Sequence, residues 1–290
     1  MPAFMQLLVN TIVPGALFGL AAAAFTLVHR VTKVLHLAHG GVVMVGAYGY
    51  FWAYRSGWGT GGAAALAIAT ATVAALLVAA CIYEPLRAKR RLSSIGNLIA
   101  SFAALLVIEA LLLMQFGSRT RSAPTLVGDR RYDLAGASIT AHQTAIVVIA
   151  VVCIALLAVI LARTRIGMAM RAVADHEDVA AVVGIDPKRV RLVAHAIAGV
   201  LAGVTGILLA GELAFEPRFS IAVAISAFTR SLIGGIGSVP GALAGSFLTD
   251  LAMNLWTWVG PTAFREVAAL LLVILVLLFR PWGLFGRKPT

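Results

Sequence analysis

Charge is scarce in this sequence. Asp, Glu, Lys and Arg make up 12% of its 290 residues, about half the roughly 25% of a soluble domain. That scarcity excludes a protein that meets water on every side. Cysteine is nearly missing too. Cys81 and Cys153 both lie in apolar runs, so there is no disulfide framework and no metal-ligand spacing, and both read as small apolar residues. No Lys follows a Gly anywhere in the chain, which leaves it without a phosphate-cradling loop of its own. A nucleophile elbow, a zincin motif and a paired-carboxylate site are all missing as well, so an enzymatic reading has nothing to rest on.

What is present is apolar: 61% hydrophobic residues and a mean hydropathy of +0.96. The excess runs along the whole chain, so it must face lipid rather than fill one core. A bilayer core of about 30 Å needs about 20 mainly apolar residues per helix. Segments of that order fall at about 7–29, 35–54, 62–83, 94–115, 143–162, 192–211, 221–233, 240–259 and 266–279. The 221–233 piece is short and reads as a broken or re-entrant helix. The expected fold is therefore an all-α polytopic membrane protein, a single transmembrane domain over 1–290 with eight to ten helices and nine as the central value. The N-terminus lacks a basic region and runs straight into an apolar segment, the pattern of an uncleaved first span.

The net charge of +11 is explained by orientation, because Lys and Arg collect in cytoplasmic loops. No stretch interleaves aromatic and basic residues as a nucleic-acid surface would. One set of alternate loops holds Arg30 and Lys33, then Arg87, Lys89, Arg90 and Arg91. It also holds Arg163, Arg165, Arg171, Lys188, Arg189 and Arg191, and finally Arg280, Arg287 and Lys288, fifteen in all. The opposite set holds seven, and Arg230 is left inside an apolar stretch. The first side is expected to be cytoplasmic, which puts the C-terminus inside and, with nine spans, the N-terminus outside.

Two polar connections stand out. Residues 116–142 form an expected external loop whose alternating end suits a short hairpin. Residues 163–191 form the largest cytoplasmic loop. There the spacing predicts one helix from Met168 to Val183, ended by Gly184 and Pro187. Met170, Val173, Ala180 and Val183 give it an apolar stripe that must be buried against something. The candidates are the membrane surface, the chain's own helices, or a groove on a cytoplasmic partner. The acidic middle, Asp175 to Asp178, argues against the first.

Gly234, Gly235, Gly237, Pro240 and Gly241 cannot lie in one regular spanning helix. Irregular backbone at membrane depth is tolerated only where protein buries it or a watery cavity meets it. A tight turn between two helices is the plainer alternative. His36 and His39 bracket Leu37 and Ala38 just before Gly40 and Gly41; ionisable groups there are functional candidates, although no carboxylate or Cys is near enough in sequence to suggest a metal. Glu109, His195, Glu212, Arg230 and Asp250 are further ionisable groups in or beside apolar segments. Arg230 either pairs with Asp250 or Glu109, or meets a substrate carboxylate. Ala21–Ala24, Ala63–Ala65 and Gly199-x3-Gly203 read as close helix packing.

Taken together, Ala38-His39-Gly40, Glu84-Pro85-Leu86-Arg87, Thr164-Arg165-x-Gly167-x-Ala169-x-Arg171-Ala172, Gly184-Ile185, Ala227-Phe228-Thr229 through Pro240-Gly241-Ala242, and Arg280-Pro281-x-Gly283-Leu284-Phe285-Gly286 give a nearly end-to-end resemblance. The chain resembles the LivH type of permease from branched-chain amino-acid ABC importers, of the type II architecture. The resemblance implies a second permease of LivM type, two cytoplasmic ATPase subunits carrying ATP and Mg, and an extracytoplasmic binding protein, with no cofactor in this chain. It implies that 163–191 is a coupling helix seated in an ATPase groove, with Arg165, Gly167, Met170, Arg171, Asp175, Glu177 and Gly184 in the docking loop. His36, His39, Gly40, Arg230, Gly234, Gly235 and Gly237 are the candidates for the translocation path in the inner (cell) membrane. The sequence departs from the family at His36-Leu37-Ala38-His39-Gly40-Gly41, where Asn-Phe-Ala-His-Gly-Glu is common, and at Arg230-Ser231, where small residues are usual. Both departures bear on the solute: branched-chain amino acids, or a related small carboxylate or amide. A gradient-driven secondary transporter or channel, using Glu109, Asp250, His39 or Arg230 as a relay, is the rival from another class.

Overall fold

The computed structural model describes residues 2–88, 94–128, 130–134 and 136–286. Lys89, Arg90, Arg91, Arg287 and Lys288 lie outside the described residues. All nine apolar segments are helices. They are α1 (Pro2–Thr32), α2 (Ala38–Arg55), α3 (Gly59–Val78), α5 (Ser94–Phe116), α6 (Ala141–Arg163), α9 (Pro187–Glu212), α10 (Phe219–Gly234), α11 (Val239–Val259) and α12 (Arg265–Phe279). Shorter pieces join them: α4 (Glu84–Ala88), α7 (Arg165–Asp175) and α8 (Glu177–Val182). The hairpin suggested by the alternating segment is present as β1 (Arg131–Leu134) paired antiparallel with β2 (Ala137–Thr140).

The expected eight to ten spans are more than length and hydropathy alone support. By those two measures six helices among the described residues can cross a membrane. The number becomes seven if α10 and α11, bent by 109° at their break, count as one span. The difference is α2 and the two arms of the bent pair. α2 carries His39, three tyrosines and Arg55, yet most of its side chains are buried. A helix wrapped by other helices is not required to be as apolar as one that faces lipid.

Small residues explain the inner packing. Ala63, Ala67, Ala71 and Ala75 fall at four-residue spacing and form the buried stripe of α3. Gly199 and Gly203 of α9 face that stripe, so closely that a Cβ on either would sit 2.7 Å from a Cα of α3, at Thr72 and at Ile68. Without a hydrophobic force between helices in lipid, such backbone approach is the main source of attraction. α1 runs through the centre, with Ala21 to Ala24 fully buried. By contrast α5, α6 and α12 turn large apolar side chains outward, among them Leu156, Val159, Leu271 and Ile274, as helices that face lipid must.

The helix ends sort into two groups. At one end, the C-termini of α1 and α6, the α7–α8 segment, the start of α9, the α10–α11 turn and residues 280–286 are in mutual contact. At the other, Ser138 in the hairpin hydrogen-bonds Gln6 of α1 at 3.0 Å, and Arg121 and Phe215 form an isolated β-bridge. The described basic residues of the larger loop set all belong to the first end.

Candidate functional site

The loop at 163–191 is broken where one helix was expected. α7 stops at Asp175, His176 is extended with φ −147° and ψ 103°, and α8 restarts at Glu177. Thr164 caps α7 by accepting from Gly167 N at 3.1 Å. The break is enforced by Glu177, whose carboxylate is held by Arg191 and, at 2.9 Å, by Arg87. Arg191 in turn grips Glu84 with two bonds of 2.6 Å. The two helices are thereby pinned to α4 and α9, and a continuous helix would carry Glu177 away from these cations.

The stripe also divides differently. Met170, Val173 and Ala180 are buried against the chain's own bundle, whereas Val183 is exposed. Gly167 packs so closely on the end of α6 that a Cβ would lie 2.5 Å from the Leu161 carbonyl. A second apolar set faces outward: Ile166, Met168, Val179, Val182 and Val183, with Val182 86% exposed. Arg165, Asp175 and Gly184 are exposed beside it, and Arg171 bonds to the Leu161 carbonyl. The docking-loop residues thus fall into two groups. Gly167, Met170, Arg171 and Glu177 hold the loop in place, while Arg165, Asp175 and Gly184 are open.

His36 and His39 belong to a buried polar knot. The His36 ring lies 5.8 Å from His39 and 5.3 Å from His195 between centroids. Its Nδ1 is 2.7 Å from the Tyr83 hydroxyl, which donates to Ser101 at 2.9 Å. Tyr83 and Glu84 reach inward because a π turn, Ala79–Tyr83, adds a residue at the end of α3 and re-aims the chain beyond it. His195 bonds the Arg191 carbonyl at 2.9 Å, so the knot and the ion-pair network share one helical turn. No group of three His, Cys, Asp or Glu side chains among the described residues is arranged to hold a metal ion. Gly40 lies where α2 crosses α10, with a Cβ position 2.6 Å from Ala224 N.

The glycine-rich stretch is a tight turn between splayed helices. α10 ends at Gly234, Gly235 takes φ +101° and Gly237 φ +99°. The last carbonyls of α10 are capped by residues 280–286: Leu284 N donates to Ile233 O and Phe285 N to Gly234 O, both at 3.0 Å. Gly283 comes so near that its Cβ would be 2.5 Å from Gly235 N. Protein backbone occupies the space beside Gly234 and Gly235; Gly237 borders an open pocket.

Arg230 pairs with Asp250, not Glu109. The Nη2–Oδ1 distance is 2.9 Å, and the guanidinium carbon lies 4.5 Å over the Phe18 ring. Both partners are nearly inaccessible, 4% and 1% exposed. Glu109 accepts from Ser220 instead. Arg230 and Asp250 nevertheless form part of the wall of a cleft of about 420 Å³ between α1, α10, α11 and the start of α12, with Glu212, Gln143, Asn254 and Arg265 around it. Of the candidate path residues, only Arg230 borders this cleft. Sequence reasoning did not single out Glu84, Arg87 and Arg191 as a unit. The available signal was a carboxylate at the end of an apolar run, which needs a cation somewhere in the fold, but Glu84 and Arg191 are 107 positions apart.

Residues 7–279 match the family described as branched-chain amino acid transport system / permease component. The high-affinity branched-chain amino acid transport system permease protein LivH of Escherichia coli (strain K12) is 29% identical, over 98% of this chain and 96% of its own length. BraD of Pseudomonas aeruginosa is 29% identical over the same shares, and a probable LivH of Methanocaldococcus jannaschii 28%, over 97% and 92%. Among solved structures, PsaBC from Streptococcus pneumoniae in complex with Fab aligns with a TM-score of 0.50 at 11% identity, covering 92% of this chain and 89% of that one. That last likeness concerns the fold. With nearly every described helix inside the matched range, the chain belongs to the family of branched-chain amino acid transport system permease components.

Proposed function

We propose that the chain is the membrane-spanning permease subunit of an ATP-binding-cassette importer, lining part of the path for branched-chain amino acids or a related small carboxylate or amide. The observation that carries the coupling part of this reading is the outward apolar face of α7–α8. Ile166, Met168, Val179, Val182 and Val183 are exposed on a segment whose opposite face is locked to the bundle by Met170, Val173 and the Glu177 ion pairs. An apolar face on a rigid mount suits a helix-in-groove contact that transmits motion. Its partners on this reading are two ATPase subunits, which bind ATP and Mg and do the hydrolysis, a second permease of LivM type, and an extracytoplasmic binding protein. The chain itself needs no cofactor. The basic end of the bundle, with the C-terminus, faces the cytoplasm of a multi-pass inner-membrane protein.

Co-purification in mild detergent with the neighbouring gene products tests it. Two ATPase subunits and a second permease are expected to remain bound, and the ATPase subunits to be lost from a Val182→Asp, Val183→Asp variant. A chain that purifies alone and still moves solute in liposomes on an ion gradient would establish the secondary-transporter reading instead. For the path, Arg230→Ala is expected to alter uptake or solute preference; unchanged uptake and preference would remove Arg230 from it.

A further inference from the structure

A second, larger pocket lies apart from the Arg230 cleft. It has about 790 Å³ of space at the basic end, between the C-termini of α1 and α6, the side of α7 and the α10–α11 turn. His29 and Arg30 come to it from α1, Lys33 from the residue just beyond it, Arg171 and Asp175 from α7, and Ser238 from the turn. The charge there is uncompensated. Among the described residues Arg30 and Lys33 make no ion pair and no side-chain hydrogen bond, and Arg171 is bonded to a neutral carbonyl. Among the described residues Asp175 is the only acid in its lining, and it pairs with none of them. Lys33 is also the only non-glycine residue of the described chain with positive φ, 58°, a conformation that L side chains adopt at a steric cost. The N-terminus of the 21-residue α11 adds its partial positive charge from below.

One wall is different. Ala158, Leu161 and Ala162 of α6 are apolar, and on the same side of that helix, toward its N-terminus, Val151 and Ala155 are exposed. The pocket is therefore cationic at the membrane end and opens along an apolar, lipid-facing helix.

We propose that this pocket binds a phosphate-bearing anion, and that the α6 wall fits it to the headgroup of an anionic phospholipid whose acyl chains lie along α6. Arg30, Lys33 and Arg171 meet the phosphate as donors and as charge, and Asp175 opposes it.

The test uses the chain in its assembled, detergent-purified complex, with native mass spectrometry counting retained phosphatidylglycerol against phosphatidylcholine. A parallel arm measures the thermal shift produced by millimolar inorganic phosphate. Retention of phosphatidylglycerol over phosphatidylcholine is expected, weakened about fivefold for each cation removed in Arg30→Gln and Lys33→Gln and strengthened in Asp175→Asn. Lys33 and Asp175 are exposed and Arg30 is partly buried, and an unchanged melting temperature without ligand establishes that the variants fold. If phosphatidylglycerol is not preferred but inorganic phosphate stabilises the wild type and not the double variant, the site stands and its ligand is a soluble phosphate. Equal lipid retention and equal phosphate response in wild type and double variant overturn the proposal. So does binding seen only after the partner subunits are stripped away, since the pocket is then a subunit contact.

Discussion

Arg230 shows how a cation is kept inside a membrane bundle. Asp250 supplies the countercharge and Phe18 the ring face, and the remaining donor reaches the Ser226 carbonyl at 3.4 Å. Removing one member of such a pair leaves the other charged and buried, at a cost of about 3–5 kcal/mol, whereas replacing both with apolar residues is nearly neutral. Asp250→Asn is therefore expected to lower the thermal stability of the detergent-purified chain far more than an Arg230→Met, Asp250→Leu double change; equal losses would mean the pair is not what holds the site. At this scale Arg230 and Asp250 were both visible in the sequence as intruders in apolar runs. Their pairing was one of two options, because sequence spacing cannot say whether Glu109 or Asp250 faces position 230 across the bundle.

Two contacts set behaviour at the scale of elements. The first is the α10–α11 turn, where Gly234 packs on α11 with a Cβ position 2.6 Å from Ala242 N, and a Cβ on Gly241 would meet the Phe285 Cβ at 3.0 Å. Gly241→Val forces these backbones apart and is expected to cost about 1–3 kcal/mol, read as a lower melting temperature, while the exposed Gly61 tolerates alanine. The second is the α7–α8 break. Glu177→Gln weakens the link to Arg87 and Arg191, so earlier proteolytic cleavage within 176–186 is expected in the variant. Val182→Asp leaves the chain's own stability within about 0.5 kcal/mol, as for other exposed positions, while abolishing subunit retention; a matching loss of stability would mean Val182 packs in the bundle instead. The sequence pattern placed a helix here, and Gly184 with φ +88° and Pro187 at the start of α9 end the segment as expected. It gave the stripe of Met170, Val173 and Ala180 but put the break, and the choice of surface that buries the stripe, out of reach, because both depend on where other elements such as Arg87 and Arg191 stand.

For the whole molecule, the two groups of helix ends make sidedness testable. With Cys81 and Cys153 replaced by Ala, a cysteine at Tyr132 in the hairpin is expected to react with a membrane-impermeant thiol reagent in intact cells. One at Asp178 is expected to react only after permeabilisation; the opposite pattern would reverse the orientation. The same division accounts for the spread of charge, because basic residues from distant parts of the chain meet at one end and frame the 790 Å³ pocket.

Hydropathy was enough to establish a polytopic all-α chain and its nine helical segments, since lipid demands long apolar runs whose backbone bonds close within each helix, while the alternating end of 116–142 only suggested the hairpin. The order of short motifs was enough for the family. Tertiary structure alone decided which of those helices is wrapped and which faces lipid. It also decided that residues 280–286 cap α10, that His36 and His195 meet on Tyr83, and that Glu84 clasps Arg191. Each of these is a contact between positions far apart in the chain, and period and composition describe a helix's own faces without saying what the fold sets against them.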